Sequence, residues 1–437
     1  MLNAKYFREN EAAIRKSLET RKSDYRFDDL LAFESEVRKI NGQLQELKTK
    51  RNKGTIQVSE SKKAGKPTDE NLMSELAEYK KGIETLEATL PEVEGKLNSL
   101  MWNAPNILHE SVPYGKDDTE NVELRTWGTR KITKIPGHEE VLSKLGLIDL
   151  EQAAKVAGAR FFYLKGDLAL LEQALIHFAI EELVGKGYTL IAPPLMLKKE
   201  YYKGVTALGD FEEALYRAAD PKESSEKSDL EHIDEELYMI STSEHPIAAM
   251  HAGQVFAAKD LPKRYIGFSP CFRREAGAHG KDSKGIFRVH QFYKIEQFIY
   301  SKPEDSWPLH EELIQNAESL FQKLNIPYHV VNICTGDIGT VAAKKYDIEA
   351  WMPAQQKYRE VVSGSNCTDW QSLRLDIKYD DKGERKHVHT LNCTAIATNR
   401  TMVAIVENYV NDDGTITVPD ALVQYMGKDR ITAAKQG

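Results

Sequence analysis

The stretch Pro270–Tyr300 reads PCFRREAGAHGKDSKGIFRVHQFYKIEQFIY. An apolar run ends in Cys271-Phe272-Arg273-Arg274-Glu275, a loop rich in Gly, Lys and Asp covers 276–285, and a second run returns from Ile286 to Tyr300. Two β-prone runs joined by a Gly-bearing loop predict a long antiparallel hairpin. Side chains alternate between the faces of a strand, so the even spacing of Arg288, Phe292 and Glu296 puts them on one face. Arg273 and Glu275 share a face of the first strand by the same rule. Two arginines, two carboxylates and an aromatic ring on one surface suit a flat, charged ligand. A solvated sheet face with incidental ion pairs is the alternative.

Around this hairpin the chain has the pattern of an α+β fold. Leu168–Lys186 is apolar at helical spacing and is followed by a strand, Tyr188–Ala192, stopped at Pro193-Pro194. Tyr238–Glu244 is a strand entering a loop, Pro303–Leu324 a helix, Val388–Cys393 a strand, and Ala397–Tyr409 an apolar helix with Arg400 near its start. Strands arranged in hairpins, without alternating βαβ units, predict an antiparallel sheet flanked by helices. Glu212–Glu236 is acidic and polar and has the composition of a surface insertion.

The N-terminal quarter has a different grammar. Leu30, Phe33, Val37, Ile40, Leu44 and Leu47 form one heptad run; Leu72, Leu76, Tyr79, Ile83, Leu86, Leu90, Val93, Leu97 and Leu100 form another. Sustained 3.5-residue periodicity predicts a coiled coil, and the polar segment Gly54–Asn71 between the runs predicts an antiparallel helical hairpin over about 27–102. Pro91 should interrupt one hydrogen bond of the second helix. A dimerisation zipper is one use of such an arm. Basic residues gathered toward the far end of the first helix, among them Arg38, Lys48, Arg51 and Lys53, point to a polyanion instead. The expected layout is an N-terminal domain over 1–108, a polar linker over 109–137 and a globular domain over 138–437.

Of 437 residues, 41% are hydrophobic and 29% charged, with a formal charge of −8. That is enough apolar material for a real core, and the acidic balance leaves room only for a local basic face. Cys271, Cys334, Cys367 and Cys393 have no metal-ligand spacing and are expected to be buried thiols. No zinc is expected. The start of the chain has no apolar signal core, and no apolar run approaches the roughly 20 residues that span a bilayer. A cytoplasmic protein without membrane partners is expected.

These parts resemble the seryl-tRNA synthetases of class II, in the common form that does not use zinc and in wording like the archaeal and eukaryal branch. The resemblance covers nearly the whole chain. Motif 1 falls near 171–194, motif 2 near 264–300 with FRRE at Phe272–Glu275, and motif 3 near 387–410 with TLNCTAIATNR at Thr390–Arg400. TSE at Thr242–Glu244 and REVVSGSNCTDW from Arg359 to Trp370 join the helical arm in the pattern.

The resemblance implies activation of L-serine with ATP to seryl-adenylate and transfer to tRNA(Ser), with tRNA(Sec) a further candidate acceptor. It implies these roles: Arg273 bridges the serine carboxylate and the α-phosphate; Glu275 accepts from the adenine amino group; Phe292 stacks on adenine with Arg400 on the other side; Arg288 and Arg400 hold outer phosphates. Glu360 and Ser363 ligate Mg²⁺ with ATP, although an ordinary ion pair is the other reading of Glu360. Thr242, Glu244, Glu296, Asn392 and Thr394 receive serine, although Thr394 also fits a strand residue bonded to backbone. The arm takes tRNA through Arg38, Lys48, Arg51 and Lys53, and Lys281 in the hairpin loop meets the acceptor end or is simply solvated. Motif 1 implies a homodimer.

Such a site needs no activated nucleophile, because the serine carboxylate is already an anion. It needs in-line positioning and stabilised phosphate charge, which explains arginines and carboxylates without a triad or a GxxxxGK[ST] loop. Two rivals remain: an enzyme that passes an activated amino acid to a carrier protein, and a non-catalytic paralogue. The first should lack the arm and the second should have lost Arg273, Glu275, Glu360 or Arg400.

Overall fold

The computed structural model describes residues 4–65, 67, 69–207, 214–218, 236–275 and 284–433. Lys281 and most of the acidic stretch 212–236 lie outside the described residues. The chain divides into two compact units, 2–105 and 106–437.

The first unit opens with two short helices, α1 (Ala4–Glu9) and α2 (Glu11–Arg21), and then runs into α3 (Phe27–Lys63) and α4 (Glu70–Asn103). At 1.5 Å per residue the long helices reach roughly 50–55 Å. They are antiparallel: Tyr25 donates to the Leu100 carbonyl, Lys48 pairs with Glu87, and Gly54 faces Leu76. Ile40, Leu44, Ile83 and Val93 are the buried centre of the seam, with Phe33, Val37, Leu47, Leu86 and Leu90 beside them. Pro91 sits inside α4.

The expected turn at Gly54–Asn71 is too long. Helix α3 continues ten residues further, to Lys63, and α4 already begins at Glu70. The heptads explain why. The second run begins at Leu72, and its first leucines need a facing helix. Gly54 provides that face, since a Cβ there would lie 2.9 Å from Leu76 Cδ2 and 3.3 Å from Leu72 Cδ1. Asp69 then caps α4 by accepting from the Asn71 N–H at 2.9 Å.

The second unit is built on an eight-stranded sheet: β1 (Val122–Trp127), β2 (Thr189–Ile191), β3 (Lys263–Phe272), β4 (Gln291–Ser301), β5 (Tyr328–Asn332), β6 (Lys344–Met352), β7 (Lys357–Asn366) and β8 (His389–Ala397). Their order is β1-β5-β6-β7-β8-β4-β3-β2. All neighbours are antiparallel except β2 and β3. Strand β1 corrects the expected linker over 109–137. It is an edge strand whose residues are nearly all exposed, so it reads as polar while its backbone pairs with β5.

Helices over Asp167–Gly185, Ser306–Lys323 and Thr398–Tyr409 bury their apolar residues against one sheet face in the main core. Alternation then decides what faces away. On β8, Leu391, Cys393 and Ala395 join that core, which turns Asn392 and Thr394 to the opposite side. On β4, Ile295 joins the core, Lys294 and Glu296 line the cavity on the other face, and Phe292 borders both. All four cysteines are buried thiols.

Candidate active site

The hairpin of β3 and β4 is shorter than the sequence suggests. Regular pairing stops at Phe272 and resumes at Gln291. Arg273, Glu275 and Arg288 therefore lie beyond the strand ends, and parity along a strand is not what brings them together. They meet because the segments stay adjacent: the Arg273 N–H donates to the His290 carbonyl at 2.9 Å, and Arg288 Nη1 donates to Glu275 Oε2 at 2.6 Å. Glu275 has φ +49°, the left-handed region that costs a non-glycine residue about 1–2 kcal/mol. Such strain is retained where it aims a side chain.

A cavity of about 600 Å³ opens on this face, within the range of small-molecule sites. Twelve residues expected from the sequence line it: Thr242, Glu244, Arg273, Glu275, Arg288, Phe292, Glu296, Glu360, Ser363, Asn392, Thr394 and Arg400. They divide into a cationic part and an anionic part.

The cationic part holds Arg273, Arg288 and Arg400. Arg273 lies over the Phe292 ring at 5.3 Å and reaches the Ser241 carbonyl at 3.4 Å. Arg288 Nε is buried without a hydrogen-bond partner, a donor placed for an absent acceptor. Arg400 Nη1 pairs with Glu360 Oε1 at 2.9 Å. Burial resists ionisation of Glu360, but Arg400, Lys345 and Arg273 outweigh it and hold the carboxyl down at about 2. Glu360 is thus an anion, and its side chain is 45% exposed on the cavity wall. Asp347, opposite Ser363 across β6 and β7, is pushed up to about 7 by burial, and its Oδ1 has no hydrogen-bond partner.

The anionic part holds Glu244 and Glu296. Thr394 Oγ1 donates to Glu296 Oε2 at 3.2 Å, and Gln371 Nε2 donates to Glu244 Oε1 at 3.0 Å. Burial raises both carboxyls, and Glu296 adds to the rise of Glu244, which reaches about 7. Thr242 Oγ1 accepts the Glu244 N–H at 3.2 Å, and Asn392 donates to Cys367 Sγ at 3.6 Å.

Some lining residues escaped the sequence reading. Lys294 Nζ lies 2.6 Å from Glu296 Oε2, both side chains buried; its parity with Phe292 and Glu296 was the available signal. The wall at 338–342 was not visible in any pattern. It is latched by Asn106, whose N–H donates to the Thr340 carbonyl at 2.8 Å and whose Nδ2 donates to the carbonyls of Val341 and Cys367 at 2.8 and 2.7 Å.

On the arm, Arg38, Lys48, Arg51 and Lys53 all lie on α3. Arg38 approaches Glu34 at 3.6 Å and Lys48 pairs with Glu87 at 2.7 Å, so part of the basic charge is spent within the hairpin. Among the described residues no group of three or more His, Cys, Asp or Glu side chains is placed to hold a metal.

Comparison with known proteins finds matches over the whole chain. The seryl-tRNA synthetase N-terminal domain model matches residues 1–108, and the tRNA synthetase class II core domain model (G, H, P, S and T) matches 227–409. The chain is 46% identical over 461 residues to a serine--tRNA ligase of Thermococcus onnurineus, covering 99% of this chain and 98% of the relative. Among solved structures, seryl-tRNA synthetase from Pyrococcus horikoshii complexed with ATP matches with a TM-score of 0.90 at 44% identity, covering all of both chains. Cytoplasmic serine-tRNA ligase from Naegleria fowleri in complex with AMP matches at 0.84 and 37%, covering 100% of this chain and 99% of that one.

Proposed function

This chain belongs to the seryl-tRNA synthetases, and from that premise we propose how its cavity divides the work. The enzyme activates serine with ATP and charges tRNA. One serine carboxylate oxygen attacks the α-phosphorus, the bond to the bridging oxygen breaks, and pyrophosphate leaves with the electron pair. The terminal ribose hydroxyl of tRNA then displaces AMP from the seryl carbonyl.

Arg273, which favours the ionised forms of Glu244, Glu296 and Glu360 alike, holds the serine carboxylate against the α-phosphate. Its fork of donors suits two oxygens, and no lysine has that shape. Arg288 and Arg400 take the outer phosphates; the unpartnered Arg288 Nε supports this. Phe292 gives the adenine a flat apolar contact and Glu275 accepts its amino group. Glu244, Glu296 and Thr242 receive the serine ammonium and hydroxyl, with Asn392 and Thr394 closing the pocket. A pocket built to hydrogen-bond a hydroxyl rejects alanine by leaving its own buried groups unpaired.

The donor set beside Arg400 suits magnesium. Glu360 is ionised, Ser363 is a hard oxygen donor, and the unpartnered Asp347 oxygen lies across from it. Glu360 and Ser363 would hold the ion, which neutralises phosphate charge when bound. The arm binds tRNA through the basic face of α3, and Lys281 meets the acceptor end. A homodimer closes on the motif 1 region, where Leu170, Val184, Leu190, Leu195 and Met196 are all at least 40% exposed around edge strand β2. No helix among the described residues is long and apolar enough to cross a membrane, and the cytoplasm is the proposed location.

The observation that carries the reading is one cavity lined by Arg273, Arg288 and Arg400 and also by the carboxylates Glu244 and Glu296. Its test is serine-dependent ATP–pyrophosphate exchange beside tRNA charging. Both should proceed. Exchange without charging would favour a carrier-protein enzyme, and neither activity would favour a non-catalytic paralogue.

A further inference from the structure

At Ile286, a buried core residue two positions before the cavity-lining Arg288, the backbone is gripped on both sides. The Ile286 N–H donates to His138 Nε2 at 3.2 Å. An imidazole that accepts at Nε2 carries its proton on Nδ1, and that N–H donates to Glu407 Oε1 at 3.2 Å. The other oxygen of Glu407 accepts the Ala354 N–H at 3.0 Å. Both ring nitrogens of His138 are therefore used, and neither is left for a substrate. On the opposite side Asn399 Nδ2 donates to the carbonyls of Ile286 and Phe287, at 3.1 and 3.0 Å.

The site arginines hang on this short segment. Arg288 is two residues on from Ile286. The Phe287 ring supports two guanidiniums, Arg359 at 4.3 Å and Arg400 at 5.1 Å. Arg400 and Glu407 stand seven residues, about two turns, apart on one helix and so share a face. Gly285 permits the grip. Its φ is +75°, and a Cβ would lie 2.1 Å from His138 Nε2.

We propose that His138 is a positioning residue for ATP: by clamping Gly285–Ile286 to Glu407 it fixes Arg288 directly, and Arg400 through Phe287, at the phosphates. This rests on the assignment of those arginines to the outer phosphates. The segment 284–288 has no strand or helix to order it. Without the clamp, ATP itself has to order it, and that entropy is lost from nucleotide binding. The serine residues Glu296, Asn392 and Thr394 stand on regular strands and keep their places.

The test is pyrophosphate exchange with ATP and serine varied in turn, alongside thermal unfolding. His138→Phe should raise KM for ATP by roughly ten- to a hundredfold and leave KM for serine within about twofold, as independent sites do. Equal rises in both KM values, or a lowered Tm with neither KM changed, would overturn the clamp. Arg288→Ala is run beside it. If Arg288→Ala leaves KM for ATP unchanged, the phosphate assignment fails; if it raises KM and His138→Phe does not, the clamp alone fails. Should His138→Phe not fold, His138→Gln keeps one acceptor and should give a smaller rise confined to ATP; no rise overturns the proposal.

Discussion

Lys294 and Glu296 stand two residues apart on one strand, and their charged ends meet at 2.6 Å on the cavity face. Glu244 lines the same cavity, and Lys294 and Arg273 both favour the ionised forms of the two carboxylates before any substrate ammonium arrives. Serine brings a further cation. That charge count organises the first two predictions.

Lys294→Met should leave Glu296 buried and uncompensated. Losing one partner of a buried pair typically costs about 3–5 kcal/mol. Urea unfolding should show a drop of this order, and an unchanged midpoint would mean that Glu296 is otherwise satisfied.

Glu244 gives the site a pH dependence with a definite sign. Burial, then Glu296, raise its carboxyl from 4.5 to about 7. A serine ammonium favours the ionised form, so KM for serine should climb as pH falls below 7, approaching about tenfold per pH unit. For stability, the folded chain keeps this proton where the unfolded chain has lost it, so the contribution is present below pH 4.5 and is lost as pH rises toward 7. Glu244→Gln should flatten both trends; profiles identical to the parent would remove Glu244 from the serine site.

Arg273→Ala should lower the exchange rate by about a hundredfold to a thousandfold, the usual loss for one donor on developing charge. Arg273→Lys should recover little of it, because a point charge cannot bridge two oxygens. Full exchange in either variant would refute the bridging role.

Shortening the arm should separate the two half-reactions. Leu47 and Gly82 are neighbours across the hairpin, since a Cβ on Gly82 would lie 3.1 Å from Leu47 Cδ1. Removing 48–81 and joining Leu47 to Gly82 through a short turn keeps the remaining seam in register. Pyrophosphate exchange should persist while tRNA charging is lost, and tRNA affinity of the parent should fall steeply with salt. Unimpaired charging would show that the arm tip does not hold tRNA.

Half of the twelve expected residues that line the cavity lie on regular strands. Asn392, Thr394, Phe292 and Glu296 could be placed by alternation alone, and Lys294 was equally available by that rule. Arg273, Glu275 and Arg288 reach the same cavity from beyond the strand ends. Strand parity grouped them, but parity is not what brings them together, because nothing local announces that pairing stops at Phe272. Asn106 and His138 were invisible for another reason. Each works through backbone groups more than a hundred residues away, and such contacts leave no local periodicity. On the arm, Gly54 read as a turn signal because its leucine partners lie 18 and 22 residues ahead.

Edge strand β1 sets a timetable. Val122 pairs with Asn332 and Trp127 with Tyr328, so among the described residues its ladder is with partners made some two hundred positions later. At ordinary synthesis rates of about 5–20 residues per second, a nascent β1 waits roughly 10–40 s for its partner. The helical arm closes its own contacts within residues 2–105 and has no such wait. During that interval Glu123 and Arg125 are the charges on VELRTW that oppose pairing of this unpaired edge with another chain.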